Sequence, residues 1–132
     1  MSAIGKVVLD TSVVVAVLRR MPGLIGKLRS AEQWLVPLVA LGELEYGANL
    51  ATPPERQRAA VREFMAGATR LLPTARTAEE YGRAKAALKA AGTPLPENDV
   101  WIAAFALEHG LPLATRDGHF THVAGLTVLD WR

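Results

Sequence analysis

The 132-residue sequence contains no cysteine. It can therefore form no disulfide, offers no thiolate to a metal ion and has no thiol nucleophile, which excludes the enzyme classes that depend on these groups. No apolar run approaches the roughly 18 residues that a membrane-spanning helix requires. The first residues also lack the charged, apolar and small-residue pattern of a signal peptide. We therefore expect a cytoplasmic protein with no membrane association.

The sequence has no large excess of charge of either sign. Fifteen Lys and Arg residues face 13 Asp and Glu residues, which gives a formal net charge of +2. This mild positive charge permits a polyanionic partner such as a nucleic acid without requiring one. Half of the residues are hydrophobic, as in an ordinary globular domain. At this length we expect one domain, spanning residues 1–132, with a single core.

Short apolar segments alternate with longer helical patterns along the chain. The β-branched run from Lys6 to Leu9 predicts a strand that is buried on both faces, as in a parallel sheet. Further strands are predicted near residues 34–36, 71–72, 113–115 and 126–129, with helical segments between most of them. The alternation predicts an α/β fold with a central parallel sheet of about four or five strands, flanked by helices on both faces.

Two helical segments carry signals of their own. Thr77, with Glu80 three residues later, predicts a capping box at the start of an alanine-rich helix that ends at Gly92. Gly42 and Gly47 lie inside the helix that is predicted from Leu38 to about Leu50. Each glycine there lowers the stability of the helix by roughly 1 kcal/mol relative to alanine. We therefore expect close packing or the approach of a ligand at these two glycines.

Asp10 directly follows the first predicted strand and precedes Thr11 and Ser12. Open α/β sheets place their ligand sites at the carboxyl ends of strands, which favours a functional acid. Asp, Thr and Ser are also favoured helix N-caps, so Asp10 could instead cap the helix that follows. This segment alone does not decide between the two roles.

Two more of the four aspartates occupy similar positions. Asp99 lies in the first turn of a nearly all-apolar helix, and Asp117 follows a predicted strand. Such carboxylates could meet Asp10 at one edge of the sheet. Mg²⁺ prefers oxygen ligands of this kind, and a bound divalent cation can activate water and stabilise displacement at phosphorus.

A fourth acid is available in the middle of the chain. Glu43 and Glu45 lie on one predicted helix, about 200° apart around its axis, so only one of them can serve the same site. We prefer Glu43, because the small residues Ala40 and Gly47 share its face and leave room beside it. Taken alone, either glutamate could equally be a solvent-facing helix charge.

Four segments in this order resemble the PIN-domain family, and more closely its VapC toxins of toxin–antitoxin modules. They are Leu9–Ser12, Gly42–Gly47, Asn98–Ala104 and Thr115–Asp117. The resemblance covers essentially the whole chain and implies a PIN-like α/β fold. It also implies a Mg²⁺-dependent endoribonuclease, with Mn²⁺ as a substitute, that hydrolyses structured RNA, often tRNA, with a metal-activated water. The expected products carry a 5′-phosphate and a 3′-hydroxyl.

The same resemblance assigns the site residues. It implies that the catalytic and metal-binding acids are Asp10, Glu43, Asp99 and Asp117. It gives supporting roles to Thr11 or Ser12, to Thr115 and to Asn98. Arg19, Arg20 and Arg116 are candidates for contact with the RNA backbone, although we favour an ordinary solvated charge for Arg19 and Arg20. The family often has a further acid two residues after the fourth, where this chain has Gly118-His119, so the number of metal ions stays open. His119 could bind a metal ion or contact phosphate, but we favour its interpretation as a surface loop histidine.

The resemblance further implies a VapB-like antitoxin that covers or inserts into the acidic pocket, a homodimer, and a higher assembly with the antitoxin. Two alternatives come from other functional classes. A phosphotransferase with Asp10 as nucleophile would need a second aspartate two residues later, where Ser12 stands. A non-catalytic PIN-like module would bind RNA or protein without cleaving RNA.

Overall fold

The computed structural model describes residues 4–132, which contain a single five-stranded parallel sheet in the order β3-β2-β1-β4-β5. The strands are β1 (Ile4–Leu9), β2 (Ala31–Pro37), β3 (Thr69–Leu71), β4 (Leu113–Thr115) and β5 (Val128–Asp130). The prediction of a parallel sheet of four or five strands flanked by helices is confirmed.

Six α-helices and one 3₁₀ helix connect the strands. They are α1 (Thr11–Leu18), α2 (Leu24–Arg29), α3 (Leu38–Leu50), α4 (Pro54–Ala66), α5 (Ala75–Ala91), α6 (Glu97–His109) and the 3₁₀ helix Gly118–His122. The first three crossovers each use a pair of α-helices, and the last uses the 3₁₀ helix. Within residues 4–132, no helix is long and apolar enough to cross a membrane.

The core explains why the most apolar segments adopt these elements. Val7, Val8 and Leu9 of β1 are fully buried, as expected for the middle strand of a sheet that is covered on both faces. Residues 102–106 of α6 are also fully buried, which accounts for the nearly all-apolar composition of that helix. The core therefore holds β1 and α6, the two elements that carry Asp10 and Asp99.

The order of the strands determines where a ligand site can form. The chain winds from β1 to β2 and β3 on one side, and then adds β4 and β5 on the other. The register pairs Val8 with Leu113 and Leu9 with Ala114. Open α/β sheets bind ligands beyond the carboxyl ends of the two strands where the winding direction changes. Here that position lies beyond the ends of β1 and β4.

The predicted capping box of α5 is wrong by three residues. Thr74, not Thr77, is the N-cap, and its Oγ1 accepts a hydrogen bond from Arg76 N at 3.2 Å. Thr77 takes the position three residues on, where its Oγ1 accepts from Thr74 N at 2.9 Å. Thr77 is fully buried and donates to Glu108 of α6. This tertiary contact selects the threonine pair, and local spacing does not show it.

Close packing does not explain the glycines of α3. A Cβ atom built at Gly42 or at Gly47 would meet no neighbouring atom within 4 Å, so the expectation of close packing is wrong at both positions. Both residues are exposed. The other part of the expectation, the approach of a ligand, stays a prediction.

Candidate active site

Asp10 lies at the end of β1 and is 4% exposed. Its N–H donates to the carbonyl oxygen of Ala114 at 2.9 Å, which joins the ends of the two central strands. Asp10 occupies the N-cap position of α1, but its side chain makes no capping hydrogen bond. Of the two roles open from the sequence, the carboxylate therefore does not serve as the cap.

Two hydroxyl groups hold the Asp10 carboxylate. Ser12 Oγ and Thr115 Oγ1 each donate to Asp10 Oδ2 at 2.7 Å. Each hydroxyl also accepts a backbone N–H from the segment after β4, Ser12 from Arg116 at 3.1 Å and Thr115 from Asp117 at 3.0 Å. These backbone donors orient the hydroxyls, so that both protons point at the same carboxylate oxygen.

The second oxygen of Asp10 is in a different situation. Asp10 Oδ1 accepts no side-chain hydrogen bond within residues 4–132. In the same part of the chain, no buried side-chain oxygen is left without a partner, so Oδ1 must reach solvent. Asp10 thus has one anchored oxygen and one that is available to a ligand.

Glu43 is held by the other hydroxyl of the opening segment. Thr11 Oγ1 donates to Glu43 Oε1 at 2.7 Å, which links the start of α1 to α3. Both hydroxyls that follow β1, those of Thr11 and Ser12, therefore donate to carboxylates. Glu45 lies apart, with its Oε2 3.9 Å from Arg58 Nε on α4.

Asp99, Asp117 and His119 form the third part of the site. His119 Nε2 lies 2.9 Å from Asp99 Oδ2, and His119 Nδ1 lies 2.8 Å from Asp117 Oδ1. Within residues 4–132, these three side chains form the group whose potential metal-ligand atoms all lie within 4.8 Å of one another. The interpretation of His119 as a surface loop histidine is wrong, because it belongs to the 3₁₀ helix and joins two acids.

The pKa of Asp99 is affected by its burial and by the charges of neighbouring side chains. Burial raises the pKa of Asp99, and the negative charges of Asp10 and Glu43 add to this rise. The hydrogen bond and the charge of His119 act in the opposite direction but do not cancel it. The acidic side chains at this edge therefore repel one another, and a cation among them would relieve the repulsion.

The side chains of two other predicted residues lie outside this network. Asn98 is exposed, and its side chain makes no hydrogen bond within the described part of the chain. Arg116 Nη1 donates to the carbonyl oxygen of Trp131 at 2.8 Å, so its guanidinium is engaged with the last residues of the chain. Arg19, in contrast, lines a cavity of about 300 Å³ together with Glu43 and Gly47.

Comparison with known proteins gives consistent matches over the whole described region. The family model described as PIN domain matches residues 7–126. Ribonuclease VapC2 of Haemophilus influenzae is 33% identical over 129 residues, which cover 96% of this chain and 98% of that protein. The tRNA(fMet)-specific endonuclease VapC of Shigella flexneri is 30% identical with the same coverage of both chains.

A solved structure shares the fold. The chain is similar to one in the crystal structure of DNA-bound VapBC from Salmonella typhimurium, with a TM-score of 0.90 and 28% sequence identity. The match covers 98% of this chain and 100% of the other.

Proposed function

The chain belongs to the PIN-domain family and, within it, to the VapC ribonucleases, and we propose that it is a toxin that hydrolyses phosphodiester bonds of structured RNA, with tRNA as the substrate class. The observation that carries this proposal is the hydrogen-bond network at the switch point of the sheet, in which Ser12 and Thr115 hold Asp10 and Thr11 holds Glu43. A non-catalytic binding module would not need to gather acids whose charges oppose one another.

The donor set fits a divalent cation. We propose that Asp10, Glu43, Asp99 and Asp117 hold Mg²⁺, with Mn²⁺ as a substitute, because carboxylate oxygens are the ligands that these ions prefer. The free Oδ1 of Asp10 and the raised pKa of Asp99 are the two features that support this. When bound, such an ion lowers the pKa of water and offsets the negative charge of the scissile phosphate.

The hydroxyl groups prepare the carboxylates for this task. Ser12 and Thr115 fix one oxygen of Asp10 and so set the direction of the other. Thr11 does the same for Glu43. Side chains that orient the ligands of a metal ion typically contribute 10–100-fold to affinity or activity. We propose this supporting role for all three, and a weaker one for the exposed Asn98.

A basic side chain beside the acids supports RNA as the substrate. Arg19 shares a cavity with Glu43, where it can pair with a backbone phosphate next to the reacting one. Arg116 could contact RNA only by leaving the carbonyl of Trp131. Relatives named as tRNA(fMet)-specific endonucleases are 29–30% identical to this chain, and we extend the tRNA class to it on that basis.

We further propose that the protein, a single domain acting in the cytoplasm, is neutralised by a VapB-like antitoxin. The structures similar to it include toxin–antitoxin complexes from Salmonella typhimurium and Mycobacterium tuberculosis. Exposed large apolar side chains are available for an antitoxin and for a homodimer that joins it in a higher assembly. These side chains are Met21, Ile25, Leu38, Tyr46 and Leu50.

The test is a cleavage assay with purified protein on tRNA and on an unstructured RNA, each with Mg²⁺, with Mn²⁺ and with EDTA. We expect cleavage of tRNA with either ion and none with EDTA. Glu43→Gln should lower the rate by more than about 100-fold, beyond the effect of a residue that only supports a ligand. Glu45→Gln is the matched control on the same helix and should cleave like the wild type.

Three results would count against the proposal. Cleavage that persists in EDTA contradicts the metal, and equal rates for Glu43→Gln and wild type contradict the role of Glu43. RNA binding without cleavage under any metal condition favours the non-catalytic module instead.

A further inference from the structure

We propose that His119 is a nitrogen ligand of the divalent cation, oriented by Asp117, and that it shifts the preference of the site from Mg²⁺ toward Mn²⁺. The inference rests on the proposed function, because it concerns the same ion. It extends that proposal by adding a ligand of a different chemical type from the four carboxylates.

The imidazole of His119 is fixed between two acids by both of its nitrogens. On one side, Asp117 Oδ1 lies 2.8 Å from Nδ1 and also accepts the backbone N–H of His119 at 3.1 Å. This closed turn ties the ring to its own backbone and sets its plane. On the other side, Nε2 faces Asp99 Oδ2 at 2.9 Å.

Two proton arrangements satisfy these contacts. The imidazolium donates from Nδ1 to Asp117 and from Nε2 to Asp99. The neutral imidazole with Nδ1–H on Asp117 keeps a lone pair on Nε2 beside the Asp99 carboxylate. A divalent cation could take the place of the Nε2 proton and be held by Nε2 and Asp99 together. A carboxylate that accepts from one ring nitrogen while the other binds metal is a common arrangement in proteins.

The ligand atoms that Asp99, Asp117 and His119 offer all lie within 4.8 Å of one another, so one ion could be held by the three side chains. The separation of His119 Nε2 and Asp99 Oδ2 is 2.9 Å. The negative charges of Asp10 and Glu43 also act on Asp99 and contribute to its raised pKa.

The segment that carries His119 is anchored and yet open to an ion. The next residue, Phe120, is fully buried and holds the 3₁₀ helix against the core. The side chain of His119 remains 31% exposed. Asp117 then has two roles, since its Oδ1 orients His119 while its Oδ2 accepts no hydrogen bond within residues 4–132 and stays available to the ion.

A nitrogen ligand changes which ion the site prefers. Mg²⁺ strongly favours oxygen ligands, whereas imidazole suits the transition metals. Replacing the imidazole of His119 by a carboxylate should therefore weaken Mn²⁺ binding relative to Mg²⁺. We expect the ratio of the two affinities to fall by about tenfold, the lower end of the range for changes around a metal ligand.

The test uses the full chain with Mn²⁺ as a paramagnetic probe. Pulsed electron paramagnetic resonance detects the ¹⁴N nucleus of a coordinated imidazole, and calorimetry gives the affinities for Mn²⁺ and Mg²⁺. The wild type should show the ¹⁴N signal. His119→Asp should bind Mn²⁺ without that signal and with the lowered affinity ratio. The matched control is His122→Gln, at an exposed histidine of the same 3₁₀ helix. This variant should keep the ¹⁴N signal and the wild-type ratio of Mn²⁺ to Mg²⁺ affinity.

The possible failures are distinguishable. Wild-type protein that binds Mn²⁺ without a ¹⁴N signal overturns the role of His119 and leaves the proposed function standing. A ¹⁴N signal that persists in His119→Asp also overturns it, because another histidine would then be the ligand. Failure of the wild type to bind Mn²⁺ or Mg²⁺ at all overturns both proposals.

Discussion

Asp10 and Glu108 are two mostly buried carboxylates, and each accepts hydrogen bonds from two hydroxyl groups. Asp10 is 4% exposed, and the Glu108 side chain is 7% exposed. At Asp10, both hydroxyls donate to the same oxygen. At Glu108, Thr74 donates to Oε2 and Thr77 donates to Oε1. Asp10 therefore keeps one oxygen free for a ligand, whereas both oxygens of Glu108 are occupied.

The charges and hydrogen-bond donors around the two carboxylates also differ. Asp10 lies among acids, and its charge contributes to the raised pKa of Asp99. Burial alone would raise the pKa of Glu108, but the hydrogen bonds from Thr74 and Thr77 and the nearby positive charges outweigh it and lower the pKa. Glu108 joins the start of α5 to the end of α6 and stabilises the fold. The number of free oxygens, and not burial, therefore distinguishes Asp10, which we propose as a metal ligand, from Glu108, which joins two helices.

The largest effect is expected when each of the two carboxylates is replaced by its amide. Asp10→Asn should lower RNA cleavage by more than about 100-fold, with stability equal or higher, because one of several repelling charges is removed. Glu108→Gln should leave cleavage intact and lower the free energy of unfolding by about 1–2 kcal/mol, through the loss of charged hydrogen bonds. Initial cleavage rates and urea denaturation measure both. Loss of cleavage by both variants, or loss of stability by both, would contradict this distinction between the two carboxylates.

The next effect concerns the hydroxyl donors. Ser12→Ala should lower cleavage by about 10–100-fold, because Asp10 loses one of the two groups that orient it. Thr74→Ala removes a donor to Glu108 and the N-cap of α5, and should cost about 1 kcal/mol of stability with unchanged cleavage. Initial cleavage rates and urea denaturation again measure the two effects. Unchanged cleavage by Ser12→Ala would show that Asp10 needs only one anchor.

The lowered pKa of Glu108 predicts a pH dependence of stability. The folded state favours the charged carboxylate of Glu108. Between its lowered pKa and its ordinary pKa, the unfolded state therefore binds more protons than the folded state. The stabilisation is complete above the ordinary pKa of 4.5 and is lost as the pH falls through the lowered pKa. The difference in unfolding free energy between wild type and Glu108→Gln should therefore narrow from about pH 6 to about pH 3. If the difference in unfolding free energy stays constant from about pH 6 to about pH 3, folding does not lower the pKa of Glu108.

The smallest effect concerns the two exposed glycines of α3. Gly42→Ala and Gly47→Ala should each raise stability by about 0.5–1 kcal/mol, because both positions are helical and a Cβ meets no atom. Only Gly47→Ala should also lower cleavage, by less than Ser12→Ala does, since Gly47 lines the cavity that contains Glu43. Equal cleavage by both alanine variants would show that glycine at 47 serves no ligand.

The parts of the fold that the sequence predicts are those set by burial along the chain. The run before Asp10 is apolar because β1 is covered on both faces, and this made the strand and the position of the acid predictable. The choice of Glu43 over Glu45 follows from helix geometry and agrees with their placement. The last strand starts two residues later and ends one residue later than the sequence predicts, because three residues of edge strand carry little pattern.

The parts that could not be predicted depend on contacts between distant residues. His119 lies 20 residues from Asp99 in sequence, and only the packing of the 3₁₀ helix brings them together. The spacing of Asp117 and His119, two residues apart, is the local signal that could have indicated their shared turn. Thr77 was assigned to the wrong end of its capping box because its partner, Glu108, is 31 residues away.

The hydrogen bond between Thr115 and Asp10 joins residues that are 105 positions apart. On the ribosome, a growing chain can bury β1 against β2 early, but its acidic edge stays incomplete until β4 and the following turn have emerged. Nuclease activity should therefore arise only near the end of synthesis. For most of its time on the ribosome, the nascent chain should therefore lack a complete acidic edge.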